Sequence, residues 1–254
     1  MLLAVNIGNT RTNAGLINER GQVLSKAAVA TSRHAEEYSS IVGPVMPGTR
    51  VVCASVVPMA TQALAQALRP HDIELELVVP RADLGLTFGG VDYRELGADL
   101  FANALASQWL WNKDALLVDL GTGSTFCVVK DGVYRGTAIV PGMEISFRAL
   151  TSGAALLREV PLAKSPRVIN ITTVECLQSG IYYGYLELVR GMIKRVQSEQ
   201  GQLFVVLTGG IGAFLCDGLG DCIDCYEPNL SLIGIWRVAS VASDLPTFAP
   251  ITPD

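Results

Sequence analysis

Two short segments of this chain repeat one arrangement of residues suited to binding anions. The first reads Val5-Asn6-Ile7-Gly8-Asn9-Thr10-Arg11-Thr12, and the second Val118-Asp119-Leu120-Gly121-Thr122-Gly123-Ser124-Thr125. In each, an apolar run ends in an amide or a carboxylate. An apolar residue, a glycine and a cluster of small polar side chains follow. Gly8 and Gly121 permit turns that a side chain would oppose. Backbone N–H groups around Asn9–Thr12 and Thr122–Thr125 can then converge on an anion, with the Thr and Ser hydroxyls as neutral donors. Either segment alone also reads as an ordinary hairpin turn. The repetition favours a pair of loops clamping one polyphosphate. Asp119 ends its strand where a carboxylate could hold a metal ion beside phosphates, or could simply cap a turn.

Three further groups have types suited to chemistry. Asp99, in Leu96-Gly97-Ala98-Asp99, stands at the start of an apolar helix, where a carboxylate is also favoured by the helix dipole. Gly209-Gly210 follows a strand, and would let a flat ring or a phosphate approach the backbone or merely form a strand-to-helix turn. Cys222 and Cys225, with Cys216 nearby, make a weak metal or redox pattern, because the two histidines, His34 and His71, are remote.

The elements that position these residues are legible in outline. Strands are expected at Leu2–Asn6, Asn9–Ile17 and Gln22–Val29, and again at Ala115–Asp119, Ser124–Lys130 and Tyr134–Ile139. The duplication thus covers a whole hairpin unit. Further strands are expected at Arg50–Ser55, Ile73–Val79 and Leu203–Leu207. Helices are expected at Met59–Leu68, Gly97–Trp111, Met143–Leu157, Thr173–Gln197 and near Ala213–Leu215. The helix from Thr173 carries Leu177, Ile181, Tyr185, Leu188 and Ile193 at roughly helical intervals. Residues 248–254 read as irregular. Strands mixed with helices give the class α/β. The repeat predicts two lobes, 1–112 and 113–254, each a mixed sheet flanked by helices, with the ligand in a cleft between them.

Bulk composition narrows the function. Half of the 254 residues are hydrophobic, 17% are charged and the formal net charge is −5. With no Lys or Arg run, an electrostatic nucleic-acid binder is not expected. No apolar stretch reaches the ~18 residues of a membrane span, and MLLAV lacks the basic start and length of a signal peptide. A cytoplasmic protein with six reduced, mostly core cysteines is the expectation.

Taken in order, these pieces resemble type III pantothenate kinases, in the superfamily of actin, hexokinase and acetate kinase, from about Leu2 to about Trp236. The counterparts are NIGNTRT, Ala54–Pro58, Gly97–Leu100, Asp119–Thr125, Gly136–Gly142, Thr173–Gly180, Thr208–Gly210 and the closing segment from Pro228. The resemblance implies two ribonuclease H-like lobes, a homodimer, and transfer of the ATP γ-phosphoryl group to pantothenate, the first step of coenzyme A synthesis. It implies use of Mg²⁺ and of a monovalent cation, K⁺ or NH4⁺. Asp99 matches the proton acceptor, and Asn6, Ile7, Gly8, Asn9, Thr10, Arg11, Thr12 and Asn13 fall on the first ATP loop. Thr122, Gly209 and Gly210 match further nucleotide positions. Gly97, Ala98, Leu100 and Thr173 fall on the pantothenate site, and Asp119 on a cation-binding carboxylate.

Three positions depart from the family pattern. Asn6 replaces an Asp, Leu100 replaces the Arg after the catalytic Asp, and Gly90 stands where a Tyr is usual, with Tyr93 the nearest aromatic. Asn keeps an oxygen but brings no charge to a cation. Leu cannot pair with the acceptor carboxylate as Arg would. These changes keep open a catalytically impaired relative that binds nucleotide or a pantothenate-like ligand, and a kinase of this fold with another hydroxylated acceptor.

Overall fold

The computed structural model describes residues 1–43, 45–46 and 48–249. The chain divides into two compact units. One comprises Met1–Asn112, Asp131–Arg135 and the described residues from Asn229 onward; the other comprises Lys113–Lys130 and Gly136–Pro228.

The first unit is built on a mixed sheet of β1 (Leu2–Ile7), β2 (Arg11–Ile17), β3 (Val23–Ala30), β4 (Arg50–Ser55) and β5 (Leu75–Leu77), in the order β3-β2-β1-β4-β5. β1 pairs antiparallel with β2 and parallel with β4. The turn into β3 is held by Asn18, whose Oδ1 accepts from the N–H groups of Arg20 and Gln22 at 2.9 and 3.0 Å. On one face of the sheet lie α1 (Ser39–Val42) and α2 (Pro58–Leu68), whose Ile41, Ala60, Leu64 and Leu68 share a core with Val5, Ile7 and Cys53. A two-residue strand, β6 (Thr87–Phe88), pairs with Val133 and Tyr134. The next helix, α3 (Ala98–Trp111), packs against the last one, to which the sequence reading assigned no helix.

The second unit repeats the plan. β7 (Ala115–Leu120), β8 (Gly123–Lys130) and β9 (Val133–Pro141) are followed by α4 (Met143–Gly153), α5 (Thr173–Gln200), β10 (Phe204–Thr208), α6 (Gly212–Leu219) and β11 (Cys225–Tyr226). In the six-stranded sheet β6-β9-β8-β7-β10-β11, the last five strands reproduce the order β3-β2-β1-β4-β5, with β6 added at the β9 edge. β1 and β7 also share one burial pattern: five of six residues are buried, and the exceptions are Asn6 and Asp119. A central strand flanked on both edges and covered by helices must be apolar throughout. A polar residue near its end is therefore retained at a cost.

The expected α/β class is found, with several boundaries moved. β2 begins at Arg11 rather than Asn9, because Gly8–Arg11 forms the turn, with the Gly8 N–H donating to Arg11 O at 3.0 Å. The strand expected over Ile73–Val79 shortens to Leu75–Leu77. Helix α4 stops at Gly153 instead of Leu157, and Leu156 is exposed. In α5 the buried face is Leu177, Tyr182, Tyr185, Leu186, Val189 and Ile193; Leu188 is exposed. The final helix, α7 (Leu230–Val241), is buried nearly all round. It therefore shows no amphipathic period to read. Its Gly234 meets α3 so closely that a Cβ would lie 2.0 Å from Ala102 O. Of the cysteines, Cys53 and Cys127 are core thiols, Cys176 is exposed, and Cys216, Cys222 and Cys225 are half-buried. Of the tail expected to be irregular, residues 250–254 lie outside the described residues.

Candidate active site

The first glycine loop is braced from β3. Thr31, just beyond that strand, donates its N–H to Thr10 O at 3.0 Å and its hydroxyl to Gly8 O at 2.6 Å. Its Oγ1 also lies 3.1 Å from Thr12 Oγ1. Thr12 is fully buried, so its hydroxyl faces this brace. Asn9, Thr10, Arg11 and Asn13 are exposed, while Ile7 belongs to the core. At the end of β1 the Asn6 Oδ1 is buried with no hydrogen-bond partner. An orphan oxygen of this kind is costly unless a water, cation or ligand group completes it.

The second loop is compressed between two glycines. Asp119 pairs in register with Thr125 on β8 and with Thr208 on β10, so Gly209 follows directly beside it. Gly209 has φ +90°, and a Cβ there would lie 2.5 Å from Asp119 Oδ1 and from Leu120 N. Gly142 donates its N–H to Thr122 O at 3.0 Å, and its Cβ would fall 2.3 Å from both Gly121 O and Thr122 O. Only glycine fits at either position. Gly210, by contrast, has open space around it. The effect is to gather Asp119, Gly121, Thr122, Gly142 and Gly209 within one small region of the second unit, at the ends of β7, β9 and β10.

Asp99 sits in the first turn of α3, behind Gly97 as N-cap. Its Oδ1 accepts the N–H of Leu100 at 2.8 Å. Burial holds the carboxyl above the usual carboxylate range, against that bond. The side chain keeps partial solvent access. A carboxylate with raised basicity and an open side is what a general base requires. Gly97 belongs to this geometry, since a Cβ there would sit 2.6 Å from Asp99 Oδ1. Ala98 is buried, and Leu100 is half-buried.

Thr173 is the first residue of α5 and is exposed. Its neighbour Thr172 caps the helix, accepting from the Glu175 N–H at 3.3 Å and donating to Glu175 Oε2 at 2.7 Å. This N-cap fixes where the helix begins and so where Thr173 stands.

The sequence profile of type III pantothenate kinases matches residues 2–195. A type III pantothenate kinase from Moorella thermoacetica is 36% identical over 251 residues, spanning 92% of this chain and 97% of that protein. The chain belongs to the type III pantothenate kinase family. A second member, from Dehalococcoides mccartyi, is 33% identical over 92% of this chain and 95% of its own length. The fold is shared more widely. The activator of 2-hydroxyisocaproyl-CoA dehydratase from Clostridium difficile, solved with bound ADPNP, superposes with a TM-score of 0.55 at 11% identity, covering 94% of each chain.

Gly90 has φ +85°, a left-handed conformation that the usual Tyr would resist. Tyr93 is exposed and lies 5.5 Å from the Phe88 ring. Leu100 offers the site a half-buried apolar side chain but no charge. The braces from Thr31 and from Tyr185 of α5, described below, were missed by sequence reasoning, and no local motif marks them.

Proposed function

We propose that this protein phosphorylates pantothenate with ATP, giving 4'-phosphopantothenate for coenzyme A synthesis. The observation that carries this reading is the family match from residue 2 to residue 195, which spans both glycine loops, Asp99 and Thr173. In this reading the Gly121–Thr122 turn of the second unit holds phosphate, with Gly209 and Gly210 lying against the nucleotide, and the Gly8–Arg11 backbone is the anion-binding loop of the first unit. Asp99 orients the pantothenate hydroxyl and takes its proton late in the transfer. General-base help of this kind contributes about 10²–10⁴-fold. Phosphoryl transfer otherwise needs positioning and charge neutralisation more than covalent help.

The carboxylate of Asp119 suits a magnesium ion that keeps most of its own water. Mg²⁺ binds such sites through one or two protein oxygens plus phosphate oxygens. Asp119 would hold it, directly or through water, and it would neutralise charge on the transferred phosphoryl group. In the first unit the buried Asn6 Oδ1, which lacks a partner, is an oxygen that a water or a cation would complete. A monovalent cation, K⁺ or NH4⁺, would accompany Asp119. The working form is a cytoplasmic homodimer. Among the described residues no helix is long and apolar enough to cross a membrane.

ADP release, coupled to a spectroscopic readout with pantothenate, ATP, Mg²⁺ and K⁺, tests the reading. Turnover that requires pantothenate is expected. Intact ATP binding without turnover at millimolar pantothenate would overturn it.

A further inference from the structure

The long helix α5 hydrogen-bonds the strand leaving the second glycine loop through the Tyr185 hydroxyl. Tyr185 is buried, and its hydroxyl lies 2.6 Å from Ser124 Oγ and 3.1 Å from Pro141 O. Ser124 is fully buried and is the second residue of the strand that leaves the loop. Pro141 ends β9 and precedes Gly142, the residue bonded to Thr122 O. These contacts close a circuit from Tyr185 to Ser124, along the chain to Thr122, across to Gly142 and Pro141, and back to the phenol.

We propose that Tyr185 is a positioning residue for the nucleotide: its hydroxyl fixes the Gly121–Thr122 turn against the Pro141–Gly142 bend. The inference rests on the nucleotide-site reading above. Close contacts at glycine positions by themselves only repel. The Gly142–Thr122 approach leaves no room for inward motion, and the backbone hydrogen bond from Gly142 to Thr122 O resists parting of the two segments. The phenol adds a tie from outside the hairpin, from a 28-residue helix whose buried face is anchored in the core. Burial also pushes the phenol up from its ordinary value, so it keeps its proton throughout the neutral range.

Tyr185→Phe preserves the ring and removes the tie. Titration of a nonhydrolysable ATP analogue by calorimetry, with steady-state kinetics for both substrates, reads the effect. A roughly tenfold loss of analogue affinity and a matching rise in KM for ATP are expected, as for a buried hydrogen bond left half-made. KM for pantothenate should stay within about twofold of the parent value. Ser124→Ala should give the same ATP-selective defect, and the double variant should be no worse than either single one, since both cut one circuit. A purely structural role would lower the melting temperature and leave both KM values alone. Analogue affinity within twofold of the parent in Tyr185→Phe, or fully additive effects, would overturn the proposal. Should Tyr185→Phe fail to fold, Ser124→Ala decides by the same criterion. If the parent binds no ATP analogue, the nucleotide-site reading falls first and the Tyr185 assignment with it.

Discussion

Adjacent glycines at the end of β10 allow a controlled test of the second loop. Gly209→Ala places a methyl group 2.5 Å from Leu120 N and 2.6 Å from Leu120 C, backbone atoms that cannot swing aside. Its φ of +90° adds conformational strain, on the order of 1–2 kcal/mol for an L-residue in the left-handed region. Overpacking a rigid site costs a further ~1–3 kcal/mol. The sum is ~2–5 kcal/mol, which for a chain of this size lowers the melting temperature by roughly 4–20 °C. Carbon contacts relax only near ~3.5 Å, so Leu120 and Asp119 must retreat by roughly an ångström. A displacement of about 1 Å can reduce turnover about 10²-fold. Gly210→Ala is the matched control for stability, with nothing within 4 Å of its Cβ, and should unfold within about 0.5 kcal/mol of the parent. Thermal denaturation with and without the ATP analogue, followed by the coupled assay, measures all three proteins. Equal melting points and equal turnover for the two alanine variants would refute the packing argument.

Asp99→Asn should lower turnover by about 10²–10⁴-fold. Because burial raises the Asp99 carboxyl in the folded state, its ionisation costs stability as pH rises through the folded value. The Asn variant should therefore melt higher than the parent at neutral pH, and the gap should close below the unfolded carboxylate range; a variant that melts lower at pH 7 contradicts the assignment. In the parent, turnover should fall on the acid side at a pH above the ordinary carboxylate range, read from a pH–rate profile. Asn6→Asp together with Leu100→Arg should raise turnover, through cation binding and pairing with the acceptor carboxylate; a folded double variant no faster than the parent counts against that account. Thr31→Val keeps the shape of the side chain and deletes its hydroxyl bond to Gly8 O. It should raise KM for ATP by about tenfold, with Thr31→Ser restoring the parent value; failure of the Ser rescue would assign the defect to packing.

The two glycine loops were visible in the sequence because they are repeated within it. Asn6 and Asp119 stood out because both interrupt the same apolar run, and the shared burial pattern of β1 and β7 has the same cause. The braces did not stand out. Thr31 reaches Gly8 across 23 positions and Tyr185 reaches Ser124 across 61, and each is a plain strand-end or core-helix residue by composition. Tyr185 was legible only as one of several apolar positions in α5, and its oxygen found meaning through tertiary contact. Helix α7 escaped because burial on all sides erases the period on which helix recognition depends. The shortened α4 reflects Thr151 and Ser152, whose hydroxyls bond carbonyls of the preceding turn. That local competition weakens a helix end and leaves little trace in hydrophobic spacing.

The seam between α3 and α7 has a consequence for biosynthesis. Domains commonly fold as they emerge from the ribosome, amino-terminal part first. Here the amino-terminal sheet waits for a helix translated after the whole of the second unit, because Gly234 must meet Ala102 and the Trp236 ring must pack, tilted, 4.9 Å from that of Trp109. The part of the chain made first is thus finished last. During that interval the apolar flank of α3 lies bare, and it is there that a nascent-chain chaperone would find its hold.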